Sequence, residues 1–298
     1  YMLSTTLESK EAAIGGLASA VGMTTASHKY GLLSETVDEY ELITGEGEVS
    51  MVTKDNEHSD LFYTFPWSHG SLGLLLKLKL RVIKIKDYVK VTYTPIYDGI
   101  DVYCSEIKRA SIKEHPADFV EATCFDSQNA VVMEGSFVDS VPNDGTVNHV
   151  SLWYKQWFYC HVRDMVHDHK GTREEYIPTF EYIFRHDKGI FWTLKDQLPE
   201  KYGNAIWFRY VFGWLCPPKV QFLKMPATPE IKKEMMMKRV YQDIVLPCRV
   251  METALRKAAD MFEIWPILIY PSRIYDHGNK QGIFPKPKCL LPRKEYEM

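Results

Sequence analysis

The segment that decides the fold reads Ala13-Ile14-Gly15-Gly16-Leu17-Ala18-Ser19-Ala20-Val21-Gly22, and Ser27-His28-Lys29-Tyr30-Gly31 follows shortly after it. Glycine occurs where the backbone turns with positive φ or approaches another group closely. The free N–H groups of a glycine-rich loop can also hold phosphate oxygens. The segment is therefore either a phosphate-binding loop or a plain structural loop. It lacks the Gly-x-Gly-x-x-Gly pattern of Rossmann folds, which argues against a dinucleotide site of that type.

Strand and helix signals follow the glycine segment. The patterns predict a β-hairpin, a short helix and two further strands, at residues 37–44 with 48–52, 59–65, 76–82 and 88–94. Ser59 and Asp60 are placed to cap the short helix. The strand at 76–82 alternates apolar and charged residues strictly, which is typical of a strand with one buried face.

Several blocks of sequence resemble a known family, and they occur in the family's order. Gly15-Gly16, the block at 27–31 and the hairpin are similar to the second FAD-binding half of the vanillyl-alcohol-oxidase-type flavoproteins. Four more specific blocks resemble the delta(24)-sterol reductases (the diminuto/seladin family): Ser59-Asp60-Leu61-Phe62-Tyr63-Thr64-Phe65-Pro66-Trp67-Ser68, Tyr88-Val89-Lys90-Val91-Thr92-Tyr93-Thr94-Pro95, Glu175-Tyr176-Ile177-Pro178 and Arg209-Tyr210-Val211-Phe212-Gly213-Trp214. The resemblance runs from about residue 14 to about residue 271.

The resemblance implies an α+β fold with two domains. Residues 1–86 would be the C-terminal part of a PCMH-type FAD-binding domain. Residues 87–298 would be an α+β cap, or substrate, domain that is incomplete at its C-terminus. The implied activity is reduction of the side-chain delta-24 double bond of a desmosterol-like sterol, with FAD as cofactor and NADPH as co-substrate. Two alternatives stay open: a FAD-linked oxidase or dehydrogenase of an alcohol or lactone, and a non-catalytic sterol-binding or partner-binding protein.

The resemblance also implies a cofactor site. The residues expected along FAD are Ala13, Ile14, Gly15, Gly16, Leu17, Ala18, Ser19, Ala20, Val21, Gly22, Met23, Thr24 and Thr25. The hydroxyl groups of Ser19, Thr24 and Ser27 are candidates for bonds to phosphate or ribityl oxygens. His28 either reaches the flavin or caps the loop. No residue is assigned as the proton donor.

Composition limits the remaining functions. The chain has 298 residues, enough for two domains with cores of their own, and a net charge of −3. Because no broad basic field exists, we expect no nucleic-acid partner. The six cysteines have no paired spacing, and we interpret them as reduced thiols facing the cytosol. No run of eighteen apolar residues occurs, so no membrane-spanning helix is predicted within the sequence.

Family members carry a membrane anchor and a first FAD-binding half ahead of the region that this chain matches. We therefore expect the chain to be a fragment. We expect the whole protein to lie at the endoplasmic reticulum membrane, held by that N-terminal anchor, with its catalytic part facing the cytosol.

The second half of the chain is rich in aromatic residues. Its patterns predict helices and strands at 98–113, 117–123, 130–138, 230–244, 250–262 and 264–270. The aromatic side chains either fill the core or line a sterol cavity, with Tyr176, His186 and Arg209 as candidate polar groups. His161, His167 and His169 follow Cys160 without the arrangement of a closed zinc site, so no metal is expected.

Overall fold

The computed structural model describes residues 1–10, 12–20, 22–196, 198–215, 244–262 and 265–280. The strands are β1 (Met2–Leu3), β2 (Val37–Ile43), β3 (Val49–Thr53), β4 (Leu74–Leu80), β5 (Val82–Ile83), β6 (Tyr88–Ile96), β7 (Phe119–Cys124), β8 (Ala130–Val138), β9 (Arg173–Pro178) and β10 (Ile267–Ile269). The helices are α1 (Ile14–Ser19), α2 (Ser27–Tyr30), α3 (Ser59–Thr64), α4 (Ile100–Ile112), α5 (Phe158–His167), α6 (Thr179–Ile183), α7 (Glu200–Gly203), α8 (Ile206–Phe212) and α9 (Met251–Phe262). The fold is therefore α+β, as expected.

The larger sheet has five antiparallel strands in the order β10-β7-β8-β6-β9. Helix α4 covers one face, where Tyr103 and Ile107 pack with Val120 of β7. Helix α5 covers the other face, where Phe158 and Val162 pack in a second apolar cluster. Because both faces are covered, every residue of β7 is buried, including Glu121. Glu121 shares its face of the strand with Phe119, so it lies on the α5 side.

The smaller sheet has three strands in the order β3-β2-β4. Its core is built on Tyr40, whose ring lies 5.2 Å from the ring of Phe62 and 5.1 Å from that of Phe65. Ala18 of α1 is buried in the same core. A third, two-stranded pairing joins β1 to β5. The smaller sheet is thus closed on one face by α1 and α3.

Most sequence-based predictions of elements are confirmed. The hairpin is β2 and β3, the predicted helices at 98–113 and 250–262 are α4 and α9, and the strand at 130–138 is β8. Helix α3 also forms, but His58 is its N-cap residue and no side chain caps it, so the predicted Ser59 cap is wrong. The predicted helix at 230–244 lies outside the described residues except for Ile244.

The predicted loop over the glycine segment is wrong, because residues 14–19 form helix α1. The two alternating strands, β4 and β6, belong to different sheets. The assignment of residues 1–86 and 87–298 to two domains stays a prediction.

Candidate cofactor site and adjoining buried charges

Helix α1 presents small residues to the surface. Leu17 N–H donates to the carbonyl of Ala13 at 3.1 Å, and Ser19 Oγ donates to the carbonyl of Gly15 at 3.0 Å. Ala18 anchors the helix in the core of the smaller sheet, whereas Ala13, Ile14, Gly15 and Gly16 are exposed. The helix therefore has one anchored side and one outer side, on which Ile14 has the one large side chain beside Ala13, Gly15 and Gly16. We call residues 13–16 the outer face of the segment.

The three glycines of the segment serve two purposes. A Cβ placed at Gly16 would meet no atom of the described residues within 4 Å, and one at Gly15 would meet only Leu75, at 3.9 Å. At Gly22 a Cβ would lie 2.6 Å from the Cβ of Leu33, so glycine is required there by packing. None of the three has a positive φ. Gly15 and Gly16 leave accessible backbone, which fits a flat ligand lying against the outer face.

The hydroxyl groups proposed for phosphate are engaged within the chain. Ser27 Oγ accepts from the Thr24 N–H at 2.8 Å, and Thr24 Oγ1 accepts from the Ala26 N–H at 3.1 Å. Thr24, Thr25 and Ser27 are buried. Their role as cofactor ligands stays a prediction. The outer face fits a cofactor surface better than the hydroxyl groups do, and Val21 lies outside the described residues.

His28 joins the segment to the larger sheet. Its Nδ1 lies 3.1 Å from the carbonyl oxygen of Thr25, and its Nε2 lies 2.9 Å from that of Ala117. Burial lowers the pKa of this imidazole. Beside it, Lys29 Nζ donates to Asp118 Oδ1 at 2.7 Å. Both ring nitrogens are thus engaged by backbone, and of the two sequence-based interpretations the structural one describes His28. We call residues 22–28, together with Glu8, the inner face of the segment.

A cluster of charged side chains lies behind the inner face. Arg185 donates from Nη2 and Nε to Glu121 Oε1, at 2.6 and 3.0 Å, and its guanidinium lies 4.2 Å from the centre of the Tyr182 ring. His186 Nε2 lies 3.5 Å from Glu121 Oε2. Burial opposes ionisation of Glu121, but Arg185 and His186 together lower its pKa. Glu121 and Arg185 therefore form a buried ion pair.

Glu8 belongs to this cluster but has a different environment. It is 2% exposed, and its Oε1 accepts the Thr25 N–H at 3.3 Å. Burial raises the pKa of Glu8 from 4.5 to about 7; Arg185 opposes that rise and Glu121 adds to it. A small cavity lies against Glu8, Thr25, Tyr182 and Arg185. Glu8 is not among the candidate residues predicted from sequence. The only available signal was an acidic residue five positions before the glycine segment.

A second buried carboxylate lies in a separate network. Glu175 accepts from Tyr93 Oη, from Asn148 Nδ2 at 3.0 Å and from His161 Nε2 at 3.0 Å. Burial opposes ionisation of Glu175, but these donors, His161 foremost, lower its pKa. His169, meanwhile, stacks on Tyr97. In the part of the chain that the structure describes, no three His, Cys, Asp or Glu side chains are placed to hold a metal ion.

The aromatic segments divide into buried and exposed groups. Trp157, Tyr159 and Tyr182 are buried, whereas helix α8 buries none of its residues. Arg209 donates to the carbonyl of Tyr154 at 2.7 Å, which attaches α8 to the preceding segment, and its role at a sterol cavity stays a prediction. His186 lies in the charge cluster described above. Within the described ranges, Tyr176 pairs with Lys90 across β9 and β6, whereas His186 lies beside Glu121 and Arg209 contacts Tyr154, so the contacts of the three groups differ.

None of the helices among the described residues combines the length and apolar character needed to cross a bilayer.

The architecture defines an α+β protein with an exposed small-residue helix beside a buried charge cluster. No protein-family model matches the chain. It is 35% identical to the delta(24)-sterol reductase of Arabidopsis thaliana over 96% of this chain and 52% of that protein. It is 36% identical to the delta(24)-sterol reductase of Pisum sativum over 98% of this chain and 53% of that protein. Over nearly all of its length the chain is thus similar to delta(24)-sterol reductases.

The chain spans about half the length of the curated relatives it matches. A weaker similarity, 23% identity over 63% of this chain and 32% of the other protein, joins it to cytokinin dehydrogenase 3 of Arabidopsis thaliana.

Proposed function

We propose that the whole protein reduces the delta-24 double bond in the side chain of a sterol, with FAD as cofactor and NADPH as electron donor. The observation that carries the proposal is the 35–36% identity to delta(24)-sterol reductases over nearly all of this chain. The similarity to cytokinin dehydrogenase 3 supports membership of a wider group of oxidoreductases. A desmosterol-like sterol is the substrate that the family resemblance implies.

Under this proposal, residues 1–86 are the C-terminal part of a PCMH-type flavin domain and residues 87–298 are the cap domain. FAD would supply the hydride chemistry when bound, while the chain supplies orientation and a site without water. The outer face is the surface against which the cofactor lies, because Gly15 and Gly16 leave its backbone accessible. Gly22, Thr25 and His28 hold that surface at a fixed position on the two sheets.

The inner face fixes the segment through backbone contacts. The carbonyl of Thr25 accepts the Val120 N–H at 2.8 Å, and the carbonyl of Gly22 accepts the Leu33 N–H at 2.7 Å. Ala26 packs in the core of the larger sheet, and Ala18 packs in the core of the smaller one. A segment attached to both cores would hold a bound cofactor in a constant position relative to the cap region. Fixed positioning of reacting groups contributes strongly to catalysis.

The proposal also covers where the whole protein lies in the cell. The whole protein would be held at the endoplasmic reticulum membrane by an anchor outside this chain, with the catalytic part in the cytosol. Fractionation of cells that express the full-length protein tests this part: it predicts recovery in the microsomal pellet, released by detergent and not by salt.

The test of the activity uses the full-length protein. Purified protein should show flavin absorbance, and NADPH should drive reduction of desmosterol at its side-chain double bond. Bound flavin without any sterol turnover would refute the proposed substrate. A protein without flavin would refute the proposed cofactor.

A FAD-linked oxidase or dehydrogenase of an alcohol or lactone is the second candidate, favoured by the similarity to cytokinin dehydrogenase 3. Oxygen consumption with such substrates, unaffected by NADPH, would support it. A non-catalytic sterol-binding or partner-binding protein is the third. Sterol binding by a full-length protein that retains no flavin would support that candidate.

A further inference from the structure

We propose that the Glu8 carboxyl group is the proton donor of this reduction and that the cavity beside it connects the donor to the alkene. This inference rests on the proposed function. Reduction adds a hydride to one alkene carbon and a proton to the other, while the π bond between them breaks. The Glu8 O–H bond breaks to supply that proton, and solvent water later restores it to the carboxylate. The electrons come from NADPH through the flavin.

The position of Glu8 is the first support. It lies five residues before the outer face, and its Oε1 accepts the N–H of Thr25 within the predicted cofactor segment. The cavity against it is about the size of one water molecule, and both polar and apolar side chains line it. The residues that line it are Met2, Thr6, Glu8, Thr24, Thr25, Ala26, Phe119, Tyr182, Ile183 and Arg185. A cavity of that size with several polar groups suits a water that carries a proton. Glu8 thus lies between the predicted cofactor segment and this cavity.

The charges around Glu8 are the second support. The titratable groups that face it are Arg185, Glu121, Tyr182 and Tyr270. Glu121 forms the ion pair with Arg185, and within the described ranges no lysine or arginine forms an ion pair with Glu8. An ionised Glu8 would therefore add a second buried negative charge beside Glu121. The carboxyl is held in its protonated form until the pH approaches about 7, its raised pKa.

A proton donor is most effective when its pKa lies near the working pH. The other buried groups of the region fit this role less well. Burial raises the pKa of Tyr182 beyond the range of a useful acid, and burial lowers the pKa of His186, which leaves that imidazole neutral. The pKa of Glu175 is lowered, so this carboxylate is ionised. Among these groups, Glu8 alone lines the cavity and also has a pKa at which it can hold and release a proton.

The experiment separates the two half-reactions in the full-length enzyme by stopped-flow absorbance of the flavin. Glu8→Gln keeps the shape and neutrality of the protonated acid but has no proton to give. NADPH should reduce the flavin of this variant within about twofold of the wild-type rate. Oxidation of the reduced flavin by sterol should slow at least about 100-fold, the usual contribution of a positioned acid. Glu8→Asp should recover part of that rate.

Glu175→Gln is the matched control, because it alters a second buried glutamate on the same side of the larger sheet. It should leave both half-reactions near their wild-type rates. A second readout does not depend on activity. The infrared band of a protonated carboxyl group should be present in the wild type below pH 7, disappear above it, and be absent from Glu8→Gln.

Three results would overturn the proposal. One is a Glu8→Gln enzyme whose reduced flavin is oxidised by sterol at the wild-type rate. Another, which remains decisive if that variant does not fold, is a wild-type sterol half-reaction whose rate does not fall as the pH rises through about 7. The third is a wild-type protein whose reduced flavin no sterol oxidises. That result also refutes the proposed function, and it differs from the others because the defect appears without any substitution.

Discussion

The outer and inner faces of one short segment differ in almost every physical property. The outer face, residues 13–16, is exposed, and its backbone is open at Gly15 and Gly16, although Ile14 has a large side chain there. The inner face is mostly buried, its Thr25 carbonyl accepts the N–H of Val120 in the larger sheet, and it contains an acid with a raised pKa. A segment that only connected two sheets would not need an open outer face. Under the proposed function, the outer face serves the cofactor, while the inner face serves attachment and holds the proposed acid.

The largest effect should follow from removing the cation behind the inner face. Arg185→Met leaves Glu121 buried without its partner, and breaking a buried ion pair in this way costs about 3–5 kcal/mol. Denaturant unfolding of the full-length protein would measure the loss. Arg109→Met is the control, since Arg109 is half-exposed and its surface ion pairs contribute at most about 1 kcal/mol. Equal losses in the two variants would contradict the described cluster.

The next effect concerns the ionisation of Glu8. Because its folded-state pKa is about 7 and its ordinary value is 4.5, the native state binds the proton more tightly than the unfolded chain does. Glu8 therefore reduces stability as the pH rises from 4.5 to 7, by about 3 kcal/mol in total. Glu8→Gln removes this dependence of stability on pH. Between pH 4.5 and 7, the unfolding free energy of the variant should therefore rise relative to that of the wild type by about 3 kcal/mol.

Glu175→Gln should show the opposite dependence. Its lowered pKa means that Glu175 stabilises the native state above pH 4.5 and loses this contribution as the pH falls further. The unfolding free energies of the two glutamine variants, each taken relative to wild type, should therefore change with pH in opposite directions. Parallel changes would contradict the conclusion that the pKa of Glu8 is raised and that of Glu175 is lowered.

A smaller effect compares the two kinds of glycine. Gly22→Ala places a Cβ 2.6 Å from that of Leu33 and should destabilise the protein by about 1–3 kcal/mol, the usual cost of overpacking. Gly16→Ala meets no atom of the described residues and lies in a helix, where alanine is favoured over glycine by about 1 kcal/mol. It should be neutral or slightly stabilising. Thermal unfolding of both variants measures this difference in stability. Similar unfolding midpoints for the two variants would contradict the conclusion that Gly22 is tightly packed and Gly16 is not.

The sequence predicted those elements whose signals are local. Helix α4 and strand β8 have clear periodicities, and the hairpin has its Gly45-Glu46-Gly47 turn. Helix α1 was missed because its glycines favour a loop, whereas Ala18 and Leu17 pack against the smaller sheet and decide the outcome. Tertiary packing of that kind overrides local propensity.

The candidate site could be predicted only in part. The accessible backbone of the outer face follows from Gly15 and Gly16 in the sequence. The role of His28 required the position of Ala117, which lies 89 residues away along the chain. Glu8 and Arg185 lie 177 residues apart, and only the topology of the larger sheet brings them to one cavity. The pKa of a glutamate depends on such neighbours, so Glu8 could not be chosen as the acid from the order of residues alone.

The most direct test of the outer face is Gly16→Leu in the full-length protein, measured as flavin absorbance per polypeptide after gel filtration. A Cβ at Gly16 meets no atom of the described residues within 4 Å, so the flavin-free variant should unfold near the temperature of the flavin-free wild type. We predict that it loses its flavin and its sterol reduction together, because the side chain occupies the surface on which the cofactor lies. Retention of both the yellow colour and the activity would contradict the account.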